Sequence, residues 1–521
     1  MKDALLIIPA IKKNAVIPDQ LIKKLNGITL IQRAIDIAKE ITNNILIITD
    51  SQEISLIAKR NSVEFYRDSK LTLNSDNILK EIRKIIKNKP YENIILYRAN
   101  TPLIDSEVLR AAYKKFLKDT KYILTSVKKL DKQLLKVEED SLIKVKNSYF
   151  KELKAFYIFK SKCLNAKFKP FIIDEEKSIE IENYQDWWIC EKILQRKRII
   201  FNVIGSQEIG MGHIYHSLAL AHEITDHEII FVCDAKYEIA VEKIASMDYR
   251  VVSTKSVINT ILGIKPDLVI NDILDTNLTY IKSLKENSIK VVNFEDLGDG
   301  SIEADLVINE LYDEPQRKGE NFLWGHEYLA LRDEFEDAVP HKFEEMVDSV
   351  LITFGGTDHN NLTLLTLKSI INIAQDNHIK IYIVCGSGYL FKNELEEYLI
   401  NHKYENIELT FAVGVISQIM EKTQIAFSSN GRTVYELADM NIPSVIISHH
   451  ERENTHCFTR LENGFVNLGV YNKSKTAKLI ENSCQKIIFD SDYRKLLFLN
   501  IQKFTFRKNK QKVVQKILEL I

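Results

Sequence analysis

The sequence predicts an α/β protein built largely on parallel sheets, and three observations carry that expectation. Short apolar runs rich in Ile, Val and Leu recur from end to end. Each is followed by a segment of helical periodicity, and strands apolar on both faces suit parallel sheets covered by helices on both sides. The third is scale: 521 residues exceed one ordinary hydrophobic core, and about 150 residues per domain suggests three or four compact units.

The early strand candidates are "ALLIIPA", "NILIITD", "NIILYRA" and "KYILTSV". The later ones are "RIIFNVI", "EIIFVCD", "DLVIND", "KVVNFED", "SVLITFG", "IKIYIVCG", "IAFSS" and "PSVIIS". Between the two sets the basic stretch "QRKR" at 195–198 separates a helical segment from a fresh strand, which marks a domain boundary. A softer division falls at "AVPHKFEEM", 338–346. The expected domains are therefore 1–197, 198–340 and 341–521, with the closing "KVVQKILELI" an amphipathic helix that packs back on a neighbour.

Charge and cysteine usage narrow the partners. With 71 basic and 72 acidic residues the net charge is −1, so no whole-chain field points to nucleic acid or an anionic membrane surface. The opening "MKDALLIIPAIKK" has a short apolar run broken by Pro9 and no small-residue cleavage site. Nothing later offers some 18 consecutive apolar residues for a transmembrane segment. The expectation is a cytoplasmic protein. Its six cysteines (163, 190, 233, 385, 457, 484) include no C-x-x-C and read as thiols, not disulfides or zinc ligands.

The stretch "VIGSQEIGMGHIYHSLALAHEI", 203–224, reads as strand, tight loop and helix start. Gly210 and Gly212 let the backbone pass close to a ligand, and the helix that follows exposes amides. A dinucleotide fingerprint would place a third glycine there; this loop places His213, suited to serve as general base, general acid or phosphate donor. A loop-bonding histidine is the plainer alternative. Farther on, "LITFGGTD" ends a strand in Gly355, Gly356 and Thr357, and "SSNGRTVYELADMNIPSVIIS" pairs the turn Ser429, Asn430, Gly431, Arg432, Thr433 with a helix carrying Glu436. Both loops open at the carboxyl ends of strands, where open α/β sheets bind ligands. Small residues there leave amides for a diphosphate; Arg432 is a candidate phosphate contact and Glu436 a candidate acceptor for ribose hydroxyls.

"IGMGHIYHSLALA", "FGGTD" and "NGRTVYELADMNIPSVII", in this order, resemble the nucleotide-sugar hydrolase of pseudaminic acid biosynthesis, which releases UDP from UDP-2,4-diacetamido-2,4,6-trideoxy-β-L-altropyranose and is related to two-domain glycosyltransferases. The likeness covers roughly residues 199–500. It implies a GT-B architecture, two Rossmann-like domains with the ligand in the cleft, and it implies UDP on the last domain with His213 across from it as the base that activates water at C1. The family's "GHVMR"-like continuation has Arg where this chain has His216. "NDILDT", "NFEDLGDG" and "LWGHEYLALRDEF" also resemble the family and place Asp272, Asp296 and Arg332 as cleft-lining candidates.

"LLIIPAIKKNAVIPDQLIKKLNGITLIQRAIDIAKE" (5–40) with "ILIITDSQEISLIAKRNSVEFYRDS" and "NIILYRANTPLI" resembles the CMP-sialic acid synthetases, cytidylyltransferases with a Rossmann-like, GT-A-like fold. The resemblance implies CTP and a nonulosonic acid as partners. It also shows erosion: where the family has Arg, a Gly pair, Ser and Lys, this chain has Ile11, Lys12, Lys13, Asn14 and Ala15, leaving Lys12 and Lys13 as candidate triphosphate contacts. Arg98 stands in place of a glutamine and is a third candidate. Glu180 and Glu182, in "SIEIENYQDWWICEKIL", fall where the family carries its Asp-Ile-Asp pair; on a strand they would share a face and reach one Mg²⁺. The expectation is a hydrolase of a UDP-linked amino sugar fused to a cytidylyltransferase-like domain of uncertain competence. The alternatives are a glycosyltransferase using a UDP-sugar donor and a non-catalytic nucleotide-sugar scaffold.

Overall fold

The computed structural model describes residues 3–12, 16–71, 78–130, 135–138, 141–144, 149–162, 166–206, 210–402, 404–412 and 414–521, with backbone only at 135–138 and 141–143. The chain divides into two compact units, Met1–Arg196 and Lys197–Ile521.

The first unit holds a seven-stranded sheet of β1 (Ala4–Ala10), β2 (Ile45–Thr49), β3 (Glu64–Arg67), β4 (Asn93–Tyr97), β5 (Ile123–Leu130), β6 (Tyr149–Lys160) and β7 (Phe168–Ile172). Their order is β7-β5-β6-β4-β1-β2-β3. β1, β2 and β4 are almost wholly buried, as their unbroken apolar runs require. Helix α1 (Leu30–Ile41) begins where the Thr29 side chain accepts from the Gln32 amide at 3.2 Å, and it buries Leu30, Ile31, Ala34, Ile35, Ala38 and Ile41 at helical spacing. Helix α2 (Tyr184–Gln195) closes the unit behind a capping box of Asn183 and Asp186.

This sheet is mixed. β6 runs antiparallel to both β4 and β5, and among the described residues between β5 and β6 there is no crossover helix. A chain returning through a hairpin-type connection re-enters the sheet antiparallel.

The second unit contains two all-parallel sheets. The first comprises β8 (Arg198–Val203), β9 (Glu228–Asp234), β10 (Val251–Thr254), β11 (Leu268–Asp272), β12 (Lys290–Phe294), β13 (Leu306–Asn309) and β14 (Phe322–Trp324), ordered β10-β9-β8-β11-β12-β13-β14. The second comprises β15 (Ser349–Thr353), β16 (Lys380–Cys385), β17 (Ile407–Phe411), β18 (Ile425–Ser428), β19 (Ser444–Ser448) and β20 (Phe465–Val470), ordered β17-β16-β15-β18-β19-β20. In each, the chain walks outward from a central strand and then returns to its other side. That reversal lies between β8 and β11 and between β15 and β18, so the loops after these strands border a crevice. Two such sheets with a cavity between their loops make the GT-B arrangement.

Helix α3 (Gly212–Glu223) follows β8, α4 (Leu362–Asp376) follows β15 and α5 (Thr433–Asp439) follows β18. The last helix, α6 (Asn509–Leu518), buries Val513, Val514 and Ile517 in the core of the first of these two sheets, so the chain end crosses back. Among the described residues, no helix is long and apolar enough to cross a membrane. Cys190, Cys233, Cys385 and Cys484 are buried free thiols and Cys457 is a half-buried one; Cys163 lies outside the described residues.

Candidate functional site

The loops after β8, β15 and β18 converge on a cavity of about 520 Å³ in the second unit. Its wall includes Gly210, Gly212 and His213 from the first sheet's side, and Gly355, Gly356, Thr357, Ser429, Gly431, Arg432, Thr433 and Glu436 from the other. Arg332, from the segment between the sheets, also lines it. Gly210 takes φ +90°, a left-handed conformation that glycine adopts without cost, and so turns the chain into α3. Gly386, after β16, was not singled out in the sequence. A Cβ there would strike the Gly356 backbone, so its absence lets the 355–357 turn close down.

Asp272 does not line the cavity. It ends β11 with no exposed surface, and its two carboxylate oxygens each meet an imidazole: His213 Nδ1 at 2.6 Å and His216 Nδ1 at 2.6 Å. Burial alone would raise this carboxyl, but the charges and hydrogen bonds of the two histidines outweigh it and hold the group well below the usual carboxylate range. An ionised carboxylate only accepts, so both rings donate from Nδ1, and Nε2 is left as the basic nitrogen of His213 on the cavity wall. The His213 side chain is 13% exposed, enough to meet a ligand.

His216, standing where the resemblance expected a cation, is fully buried. Burial pushes its pKa down, and the Arg432 charge pushes it further. Its Nε2 lies 3.6 Å from Glu310, and Glu310 forms an ion pair with Arg432. Arg432 is thus neutralised by a buried carboxylate from the first sheet's side while lining the cavity.

Two further arginines bridge the two sides. Arg332 Nε donates to Glu436 at 2.8 Å and its Nη1 lies 2.7 Å from Glu334, so the proposed ribose acceptor already holds one partner. Arg452 donates to both oxygens of Asp275 at 3.0 Å and to the Glu295 carbonyl at 3.1 Å.

Asp296 and Asn430 are corrections to the sequence reading. Asp296 is fully buried and accepts from the Thr276 amide, Thr276 Oγ1, Asn293 Nδ2 and the Gly298 amide; it holds two strand-end loops together. Asn430 turns its side chain inward to the Glu453 and His456 carbonyls at 2.8 and 3.0 Å, fixing the turn from behind.

Sequence reasoning missed Glu295, His359, His449, His450 and Arg452, all on the wall. The signal for three of them was the dense run "HHEREN" after the β19 strand. His359 and His449 rings stand 4.4 Å apart, and burial with the His359 charge pushes His449 down to about 3, so this imidazole is neutral.

In the first unit the candidate ligand groups are paired with one another. Arg98 Nη1 donates to Glu180 at 2.7 Å and Asn100 Nδ2 donates to the same oxygen at 3.0 Å. Residues 178–182 form no strand, and Glu182 is exposed. The pair therefore does not fit a Mg²⁺ site: one carboxylate is engaged by a guanidinium and an amide, and no sheet pairing holds the second beside it. Lys12 forms ion pairs with Asp19 at 3.2 Å and with Glu53. Lys13 lies outside the described residues. The sole group of three metal-type side chains among the described residues is Glu223, Asp333 and Glu336, and it already surrounds the Lys510 ammonium.

Residues 5–204 match the family model described as Cytidylyltransferase. An uncharacterized protein of Methanocaldococcus jannaschii is 28% identical over 267 residues, which is 47% of this chain and 54% of that protein; the chain thus spans about half the length of the curated relative it matches. Among solved structures, MurG of Acinetobacter baumannii is similar with TM-score 0.45 and 12% identity, over 62% of this chain and 99% of its own. Anabaena HepE in complex with UDP-glucose is similar with TM-score 0.44 and 11% identity over 62% and 99%. A CMP:2-keto-3-deoxy-manno-octonic acid synthetase complexed with CTP is similar with TM-score 0.31 and 10% identity, over 37% and 99%.

Proposed function

We propose that the second unit hydrolyses a UDP-linked amino sugar, with water attacking C1 and UDP leaving, as a step in nonulosonic acid synthesis. The observation that carries this reading is the His213–Asp272 pair at the edge of the cavity, opposite two small-residue turns and Arg432. Asp272 orients the imidazole and stabilises the imidazolium formed when Nε2 takes a proton from water. The turns at 355–357 and 429–433 hold the diphosphate, and Glu436 with Arg332 faces the ribose. The three ordered motifs support the assignment to the hydrolase of pseudaminic acid biosynthesis. Pairing of Lys12, Arg98 and Glu180 within the first unit favours a cytidylyltransferase-like domain that binds nucleotide weakly and does not turn over CTP.

The test is incubation of the whole chain with a panel of UDP-sugars in ¹⁸O-water. UDP release with the label on the sugar is expected. Label in UDP would move the attack to phosphorus and remove His213 from the role. Release only when a second sugar or lipid acceptor is added would establish a transferase, the same fold used with a different nucleophile.

A further inference from the structure

The wall contains a carboxyl that the mechanism above leaves unused. Glu295 follows β12 and is 3% exposed. Its backbone sits at φ +52°, a left-handed conformation uncommon for a residue with a Cβ and characteristic of functional sites. That conformation is pinned on both sides: the Glu295 amide donates to the Ile308 carbonyl at 3.1 Å, and its own carbonyl accepts from Arg452 at 3.1 Å. The side chain is held by one bond, from the Leu311 amide to Oε1 at 3.2 Å. Oε2 is buried with no hydrogen-bond partner.

Other orphan polar atoms of this wall differ. His216 Nε2 faces Glu310 at 3.6 Å, the Arg432 guanidinium is ion-paired with Glu310, and His449 Nε2 faces Asp358 at 3.9 Å. Each has an ion-pair partner in the fold, whereas among the described residues Glu295 Oε2 has neither an ion pair nor a hydrogen bond, and the Arg432 and Asp272 charges act on it only through space. A buried polar atom left without a partner costs roughly 1–3 kcal/mol, so a fold that keeps one on a cavity wall is completed by a ligand.

Resting on the nucleotide-sugar reading, we propose that Glu295 is the residue that recognises the sugar, its carboxyl donating a hydrogen bond from Oε2 to an uncharged oxygen of the hexose. The protonation state supports the donor role. Burial raises the carboxyl, and although Arg432 and the Leu311 amide lower it again, the Asp272 carboxylate adds to the rise and the group stands at about 7. The Arg452 guanidinium on its carbonyl, the phenols of Tyr312 and Tyr435 and the imidazole of His216 also stand around it. A neutral donor suits a hydroxyl or carbonyl oxygen. An ionised Glu295 beside Asp272 repels an acidic sugar, so the site selects for a neutral one.

The experiment measures binding of UDP, UDP-glucose and UDP-N-acetylglucosamine to the full chain by calorimetry from pH 5.5 to 8.5, for the native protein, Glu295→Gln and Glu295→Ala. Glutamine keeps a donor and cannot ionise. Relative to Glu295→Gln, the native affinity for at least one sugar nucleotide is expected to fall about fivefold or more between pH 6 and pH 8.5, the loss of roughly one hydrogen bond. Glu295→Ala should lose that affinity at every pH, while UDP binds all three proteins alike. UDP affinity that falls with the sugar nucleotides in both variants would overturn the proposal by making Glu295 a support of the nucleotide or the fold. A sugar contribution retained in Glu295→Ala, or a native profile parallel to that of Glu295→Gln, would also overturn it. Failure of the native chain to bind UDP would refute the nucleotide reading itself.

Discussion

Both units pair their candidate cations with carboxylates, but only the second also sets a buried carboxylate behind a cavity-facing imidazole. In the first, the cations assigned to a triphosphate are neutralised by neighbouring carboxylates: Lys12 by Asp19 and Glu53, Arg98 by Glu180. In the second, a carboxylate serves the cavity from behind: Asp272 is wholly buried and holds two imidazoles, one of which keeps its second nitrogen for the cavity. Pairing of the first kind uses up a charge, whereas pairing of the second kind directs one. The difference lies in where the counter-ion stands: Arg432 of the second unit is itself paired with Glu310, but the His213 ring held by Asp272 still presents a nitrogen to the cavity.

The comparison breaks most sharply at His213. His213→Asn should retain UDP-sugar binding and lose turnover by roughly 10²–10⁴-fold, the usual contribution of a positioned base. Asp272→Asn should lose somewhat less, about 10²-fold, because the ring remains but its tautomer is no longer imposed. Full activity in either variant would return His213 to a loop-bonding role.

A second test asks whether the same kind of pairing, placed off the cavity wall, matters only for stability. Lys510 is 3% exposed and sits among Glu223 at 3.1 Å, Glu336 at 2.8 Å and Asp333. Lys510→Met leaves three carboxylates clustered and should destabilise the second unit by about 1–3 kcal/mol, discounted from a fully buried pair because the acids are partly solvated. Burial by itself would lower the Lys510 pKa, but its three acidic partners raise it above the ordinary lysine value. Its contribution is therefore complete below about pH 10.5 and lost as pH rises through the raised folded value. Chemical denaturation of the native protein and Lys510→Met at pH 7 checks the destabilisation, and UDP affinity should not change.

Glu436→Ala sharpens the nucleotide side. It removes a candidate ribose acceptor and leaves Arg332 with Glu334 alone, and should weaken UDP binding by about 1–3 kcal/mol in calorimetry. Unchanged affinity would make Glu436 a partner of Arg332 and nothing more.

The smallest effect is expected in the first unit. Arg98→Gln restores the residue type of the resembled family and frees Glu180 from its guanidinium. A Mg²⁺- or Mn²⁺-dependent rise in melting temperature, absent in the native chain, should appear. A native chain that already responds to Mg²⁺, or releases pyrophosphate from CTP in a chelator-sensitive way, would show that the Arg98–Glu180 pair opens to admit a ligand.

Read from the chain alone, each apolar run singled out as a strand lies in one of the three sheets, from Ala4–Ala10 to Ser444–Ser448, because an unbroken run of Ile, Val and Leu has no comfortable place except between two layers of helices. The same local patterns located the glycine-rich turns, since a turn with φ near +90° at Gly210 needs glycine wherever it occurs. Strands such as Val251–Thr254 and Phe465–Val470 escaped notice: they are short or only half-buried edge strands, and so carry little apolar signal. The antiparallel course of Tyr149–Lys160 depended on how the chain returned to the sheet, which composition does not record. Partner choice was also beyond local sequence. Asp272 lies 59 residues from His213, Glu180 lies 82 from Arg98 and Glu436 lies 104 from Arg332, and only the folded sheets bring each pair within hydrogen-bond distance. A strand-end acid can cap a loop, quench a cation, orient a base or wait for a ligand. Asp296 bonds two loops, Glu180 pairs with Arg98, Asp272 holds two imidazoles and Glu295 keeps one oxygen unpaired; burial and neighbours set these differences, and they are properties of the tertiary structure because electrostatic energy depends on distance in space and on solvent exclusion, not on separation along the chain.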